Sequence, residues 1–283
     1  MTSLSLVTSL RRVRRWRLDG LIGAVLLTVI CVAALAAPLI APMAPNAVDI
    51  KAAYQGPSGA HLLGTDEVGR DVLSRVIFGA RVSILAGLEA TLIAAVIGIA
   101  SGVLAGYRGG RTERVLQRLN DGLMSLPGIV LALAFVSVLG PGLRNGMLVV
   151  GLVLVSGFFR VSRAATRDVK ENLFIEAAVN LGCPPRKVVT NHILPNIFGP
   201  LVVEATLVLS AAILIEATLS FLGLGAQPPT ASWGTMLATA QRRPDLPHLV
   251  FVPGIALTLT VLALFLTGDA LRDSVNGRGR TRA

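Results

Sequence analysis

"EAAVNLGCPPRKVVTNHILPN" (residues 176–196) is a run of mostly water-compatible residues in a chain that otherwise reads as soluble in lipid. Ala177 and Ala178, with Phe174 before them and Leu181 after, recur at helical spacing and give one short apolar face. Gly182 is suited to end that helix, because it takes the left-handed backbone that a helix C-terminus needs. Pro184 and Pro185 block continuation. Pro185 nevertheless opens the next helix well, since an N–H in a first turn has no partner to lose. Val188, Val189 and Ile193 form a second apolar face, opposite Arg186, Lys187, Thr190 and Asn191, and Pro195 is expected to close it. The expectation is two short helices bent into an L, too polar to span a bilayer and too amphipathic to stand free in water. An interfacial hairpin and a docking element for a cytosolic partner both fit that pattern.

The rest of the chain decides where this L sits. Of 283 residues, 53% are hydrophobic and 15% charged, with a mean hydropathy of +0.70. Soluble domains carry about 25% charged residues, so charge has been exchanged for apolar length. The net charge of +10 does not point to nucleic acid, because the basic residues cluster beside the apolar segments. The only cysteines, Cys31 and Cys183, give no disulfide framework.

A spanning helix needs about 20 apolar residues to cross about 30 Å of hydrocarbon. Six segments qualify: 21–40, 83–105, 123–139, 147–159 with an extension into 161–165, 197–222 and 251–268. The first resembles a secretory signal, with Arg11, Arg12, Arg14, Arg15 and Arg17 before it and "AALAAP" behind it. Its apolar run exceeds the roughly 7–15 residues of a signal core, so an uncleaved signal-anchor helix is expected.

Six spans put both termini on one side. That side holds 19 of the 26 Lys and Arg residues, against 7 on the other, which places both termini in the cytoplasm by the positive-inside rule. Trp16 among the N-terminal arginines suits anionic headgroups. The L, between spans four and five, is then cytoplasmic. The expected organisation is a basic tail (1–20), a first span (21–41), an extracytoplasmic segment with an amphipathic helix (42–82), a five-helix core (83–268) that contains the loop 170–196, and a cytoplasmic tail (269–283).

The spacing Glu-Ala-Ala, three residues, Gly, nine residues, His-Ile-Leu-Pro resembles the "EAA" coupling loop of bacterial ABC importer permeases. "NHILPN" is similar to the dipeptide/oligopeptide/nickel branch, and three further stretches agree: "HLLGTDEVGRDVLSRVIFGARVS" (61–83), "LGPGLRNG" (139–146) and "EATLSFLGLGAQPPTASWGTML" (216–237). The resemblance covers 21–273 and is to the C-type subunit. It implies an all-α, type I ABC importer permease fold with six transmembrane helices. It implies ATPase-coupling residues at Glu176, Ala177, Ala178, Leu181, Gly182, Pro185, Arg186, Val189, His192 and Pro195. It also implies partners: a homologous B-type permease, two cytosolic ATPase subunits (separate, or as one fused or heterodimeric pair) that bind ATP and Mg, and an extracytoplasmic substrate-binding protein. Membrane lipids surround the assembly and nucleic acid has no part in it. The family often has Ser or Thr where this chain has Pro184, so a side-chain cap worth about 1 kcal/mol is missing and a slightly frayed second helix is expected.

Other residues carry weaker signals. Glu89, Glu204 and Glu216 lie within spans, where an acidic residue costs about 2.5–3.5 kcal/mol, so each is expected to face protein or water. They read either as hydrogen-bonded carboxyls that pack helices or, with Ser220, as a polar pathway for ammonium groups and other cations. Glu204 and Glu216 are 12 residues apart, about 120° around a helix, so they need not share a face. In 61–83, Val72, Leu73, Val76, Ile77 and Ala80 suggest an interfacial helix with Asp71, Ser74 and Arg75 on its polar side, capped at Thr65 or Asp66. His61, Asp66 and Glu67 lack the spacing of a metal site. Asp121 and Ser125 read as caps of the third span, with Pro127 one turn inside it. Trp233 reads as an interface anchor that, with Arg242 and Arg243, faces the receptor.

The sequence holds no G-x-x-x-x-G-K-[ST], G-x-S-x-G or H-E-x-x-H, so no catalytic, cofactor or metal residue is assigned and ATP is left to a partner. The expected function is a permease subunit for di- or oligopeptides working by alternating access in the bacterial cytoplasmic membrane. Nickel chelates, heme or another peptide-like ligand are alternatives within the family. An ion-coupled secondary transporter is the rival class, and it calls for paired broken helices or inverted repeats.

Overall fold

The computed structural model describes the backbone of residues 3–280 and the side chains of residues 18–274. The basic tail's Arg11–Arg17 and Trp16, and the chain beyond 274, therefore lie outside the described side chains. Among the described residues the chain is helical, and one isolated bridge, Thr65 to Asp71, is the only β pairing.

Helix α1 (Ser3–Leu35) carries the first apolar window and is followed by a single turn, α2 (Ala37–Ile40). A largely irregular segment leads to α3 (Val72–Arg108), which runs unbroken for 37 residues. The expected interfacial helix and second span are thus one element, because no proline or polar turn separates residues 80 and 83. Its cap is Asp71, whose Oδ2 accepts from the Ser74 amide at 2.8 Å, rather than Thr65 or Asp66. Helix α3 is the bundle's central post, packed on α1, α6, α7 and α10. It approaches α7 closely because Gly102 leaves room for Ser162, whose Oγ lies 3.2 Å from the Gly98 carbonyl.

The third span departs most from expectation. Residues 110–139 form two helices, α4 (Gly110–Met124) and α5 (Gly128–Leu139), bent by 83°. Pro127 disfavours helical backbone at Leu126 and donates no hydrogen bond, so the chain breaks there. Asp121 falls inside α4, Ser125 ends α4 by donating to the Gly122 carbonyl at 2.7 Å, and Pro127 precedes α5.

Helices α6 (Leu143–Val153) and α7 (Val155–Lys170) together make a fourth span longer than the sequence suggested. After α8 (Leu173–Asn180) and a turn of helix α9 (Pro185–Lys187), a π-helical segment (Val188–Ile193) leads directly into α10 (Leu194–Phe221). A short α11 (Trp233–Ala240) precedes α12 (Pro247–Arg280), which carries the last span from Pro247. Five described helical stretches are long and apolar enough to cross a membrane by length and composition, and the bent α4–α5 pair makes six when it is counted as one span.

Candidate functional site: the elbow and its neighbours

The elbow comprises α8, the turn after it, α9 and the π-helical segment (residues 173–193), and α8 is held to the bundle by one buried side chain, Ile175. The expected apolar face is not covered: Leu181 is 88% exposed, Phe174 45%, and Ala177 is exposed too. Leu173 and Val179 extend the same uncovered surface. The helix ends as expected. Gly182 takes φ +79, the Cys183 amide bonds the Ala178 carbonyl at 3.0 Å, and the Gly182 amide bonds that of Val179 at 2.9 Å. This pair of bonds is the Schellman closure, in which a left-handed glycine lets the last carbonyls find donors.

Beyond it, Pro184 supplies no side-chain cap, yet the turn closes through the Val188 amide to the Pro184 carbonyl at 3.1 Å, so the expected fraying is not seen. Val188 and Ile193 are fully buried against Val103, Phe158 and Ile197, and Val189 is partly buried with them. Pro195 does not close this helix. In an α-helix its ring would clash with the Asn191 carbonyl. Here the preceding turn is widened, with the Leu194 amide reaching the Val189 carbonyl five residues back, and the helix passes into α10. Short π segments of this kind recur at functional sites. His192 is partly buried, its ring centroid 6.5 Å from that of Phe174, so α8 leans on the π segment. Glu176, Pro185, Arg186 and Pro195 are exposed. An apolar groove of about 500 Å³, bordered by Ile99, Val103, Tyr107, Val189 and Leu194, runs beside the widened turn.

The three carboxyls within spans fall into different settings. Glu89 is exposed on α3. Glu204 is partly buried, and its carboxyl occupies the space a side chain at Gly157 would fill. Glu216 is fully buried: Ser83 donates to it at 2.8 Å and Ser220 at 2.7 Å, while Ser220 Oγ accepts from the Ala226 amide at 2.9 Å. Glu216 and Ser220 thus tie α3, α10 and the following loop together, and neither opens on a passage.

Around residues 61–75, at the other end of the bundle, most polar side chains pair within the chain, while the buried His248 Nε2 has no partner among the described residues. Asp66 accepts from Arg70 at 2.6 Å and lies 3.4 Å from Arg75, while His61 pairs with Asp71 at 3.1 Å. The expected polar side of the outer helix, Asp71, Ser74 and Arg75, is therefore buried rather than wetted. His61 pairs with Asp71, while Asp66 and Glu67 share Arg70, and among the described residues they form no group that could hold a metal ion. Trp233 corrects the surface reading: it is 1% exposed and its Nε1 donates to the Val76 carbonyl at 3.1 Å, so it is neither an interface anchor nor receptor-facing. Arg242 is exposed and pairs with Glu67 at 3.0 Å. Arg243 pairs with Asp245 at 2.7 Å and lies 4.6 Å over the Tyr54 ring. Hydrogen bonding from Arg243 holds the Asp245 carboxyl below its ordinary range.

A polar seam that sequence reasoning missed joins α4 to α7. Arg163 Nη1 donates to Glu113 Oε1 at 3.1 Å and to Gln117 at 2.5 Å, and Arg167 Nη1 donates to the same Glu113 oxygen at 3.3 Å. Lys170 Nζ donates to the Tyr107 carbonyl at 2.7 Å. The arginines at i and i+4 were the available signal, but their partner lies 50 residues away.

Comparison with known proteins agrees with this architecture. Residues 98–280 match the family described as binding-protein-dependent transport system inner membrane component, and residues 9–57 match the N-terminal TM domain of oligopeptide transport permease C. The chain is 39% identical over 263 residues to a probable D,D-dipeptide transport system permease protein of Escherichia coli (strain K12), covering 91% of this chain and 88% of that protein. It is 40% identical over 265 residues to a di/tripeptide transport system permease protein of Pseudomonas aeruginosa (strain UCBPP-PA14), covering 91% and 87%. Among solved structures, an inward-facing MetNI methionine ABC transporter chain superposes with a TM-score of 0.58 at 19% identity, over 71% of this chain and 95% of that one, a likeness of fold. The chain belongs to the inner membrane components of binding-protein-dependent transport systems, in the dipeptide/oligopeptide/nickel branch of ABC importer permeases.

Proposed function

We propose that this subunit moves di- or oligopeptides across the cytoplasmic membrane by alternating access, with both termini in the cytoplasm and the elbow docked on cytosolic ATPase subunits. The observation that carries the reading is the uncovered apolar surface of α8, Leu173 to Leu181, mounted on a turn that is itself rooted in the core through Val188 and Ile193. A short helix held by one buried side chain gains little from its own chain, whereas an apolar helical face fits a groove on a partner. Load applied to Glu176, Ala177, Ala178, Leu181, Gly182 and Arg186 passes through Pro185, Val189, His192 and Pro195 into α10, because no loop separates the elbow from that span.

Peptide cargo is supported by relatives whose names specify dipeptide and tripeptide transport. Glu89 and Glu204, the intramembrane carboxyls that are not fully enclosed, suit a passage for ammonium groups. The chain provides walls and levers, while ATP and Mg belong to the partner ATPases and capture of cargo to a binding protein. The test is co-expression with the neighbouring transporter genes followed by purification in mild detergent. An ATPase is expected to co-purify with the native chain and to be lost when Ala177 and Ala178 are both replaced by Glu, with membrane insertion unchanged. Recovery of the ATPase by that variant would refute the docking assignment.

A further inference from the structure

The broken third span sets a physical constraint. Helix α5 has 12 residues, about 18 Å at 1.5 Å per residue, which is short of the roughly 30 Å of hydrocarbon. The break at 125–127 or the turn at 140–142 therefore has to complete the crossing at membrane depth. Irregular backbone at that depth is tolerated only against protein or water, never against lipid. Residues 121–127 are all exposed on this chain, so covering the break is left to a neighbouring protein surface or to water.

What holds α4 is unusual for a helix at that position. The side chains turned to the bundle include Glu113, Gln117 and Asn120 beside a half-buried Leu116, whereas Val115, Leu119 and Leu123 are exposed. Attachment to α7 thus rests on Glu113, which receives Arg163 and Arg167, and on Gln117, which receives Arg163. Both arginines lie in the second half of α7, which leads into the elbow. Asn172, at the start of α8, closes that junction by donating to the Asp168 and Val169 carbonyls at 3.1 and 3.0 Å.

We propose that Glu113 is a positioning residue, a latch through which α4 and the broken third span follow α7 and the elbow. The proposal rests on the coupling role given to the elbow above and adds the route by which that motion reaches a second span. Side chains with charge-assisted bonds suit such a latch, because the bonds are about twice as strong as neutral ones and directional. The Glu113–Arg163 pair is partly shielded, with side chains 17% and 25% exposed, so it is less screened than a surface pair.

The test uses the complete transporter, reconstituted in liposomes with its ATPases and binding protein. Glu113→Gln is expected to assemble in normal amounts, to keep basal ATP hydrolysis within about twofold and to lower receptor-stimulated hydrolysis and transport about fivefold. Glu113→Arg combined with Arg163→Glu is expected to recover at least about half of that loss, and loss of stimulated hydrolysis with assembly and basal hydrolysis retained is the outcome that a purely structural role would not predict. A second variant covers poor assembly of the first. With Gln117→Cys and Arg163→Cys, transport is expected to be low in the free thiol form and to recover when a short bis-thiol reagent bridges the pair. Transport at the native rate by Glu113→Gln overturns the latch, as does loss of transport on bridging, since α4 and α7 would then have to part. If the unmutated complex shows no receptor-stimulated ATP hydrolysis, the coupling reading itself fails, and the latch with it.

Discussion

The two ends of this bundle spend their side chains in opposite ways. At the outer end, charged and polar groups are turned inward and paired within the chain: Asp66 with Arg70 and Arg75, His61 with Asp71, and Glu216 with Ser83 and Ser220. At the elbow, apolar side chains are turned outward and left unpaired: Leu173, Phe174, Val179 and Leu181. Buried polar groups require partners, because an unmet one costs about 1–3 kcal/mol, so the outer end is committed to one arrangement. An exposed apolar face makes no such demand on its own chain. The difference separates a rigid scaffold from a surface available to another protein.

The strongest way to break this contrast is to substitute one residue at each end. Leu181→Asp adds charge where the side chain is already 88% exposed, so stability should stay within about 0.5 kcal/mol. Transport should nevertheless fall at least about tenfold, equivalent to about 1.4 kcal/mol of lost docking free energy. Thermal unfolding in detergent and uptake by liposomes measure the two effects. Unchanged uptake would remove the elbow's claim to a partner.

Glu216→Ala should do the reverse. It strips Ser83 and Ser220 of their common acceptor inside a fully buried site, and the expected loss is about 1–3 kcal/mol of stability. Any loss of transport should follow the loss of folded protein. If Glu216→Ala instead folded normally and altered cargo preference, Glu216 would be a pathway residue after all and the outer end would not be scaffold alone.

How far each region was legible follows from the range of its interactions. The helix that ends at Gly182, the cap-free start at Pro185 and the buried Val188–Ile193 face are local, and periodicity with glycine and proline chemistry reaches them. The break before Pro127 is local too, but prolines are tolerated in spanning helices, so the sequence alone did not decide between a kink and a stop. Continuity of α3 across residues 80–83 was hidden because apolar periodicity does not mark where a helix leaves the membrane. Trp233 and Glu216 were misplaced or left open for one shared reason. Their partners, Val76 and Ser83, lie 157 and 133 residues away, and no short-range pattern carries such a pairing.

The smallest expected effect sharpens the outer half of the comparison. Arg243 and Asp245 form an exposed pair, and solvent screening leaves such pairs little net influence on stability. Because Asp245 is held below its ordinary range in the folded state, its contribution is present above the unfolded pKa and lost only as pH falls through the lower folded value. Between about pH 5 and 8 the carboxyl stays ionised in both states, so Asp245→Asn should leave the pH profile of the melting temperature unchanged across that window, and solvent screening keeps any shift in the temperature itself small. The informative measurement is receptor-stimulated ATP hydrolysis. Asp245→Asn releases Arg243 from its carboxylate while Tyr54 still lies beneath the guanidinium. If the outer rim is scaffold, that release changes nothing. If receptor stimulation rises instead, Arg243 contacts the binding protein and Asp245 had been competing for it.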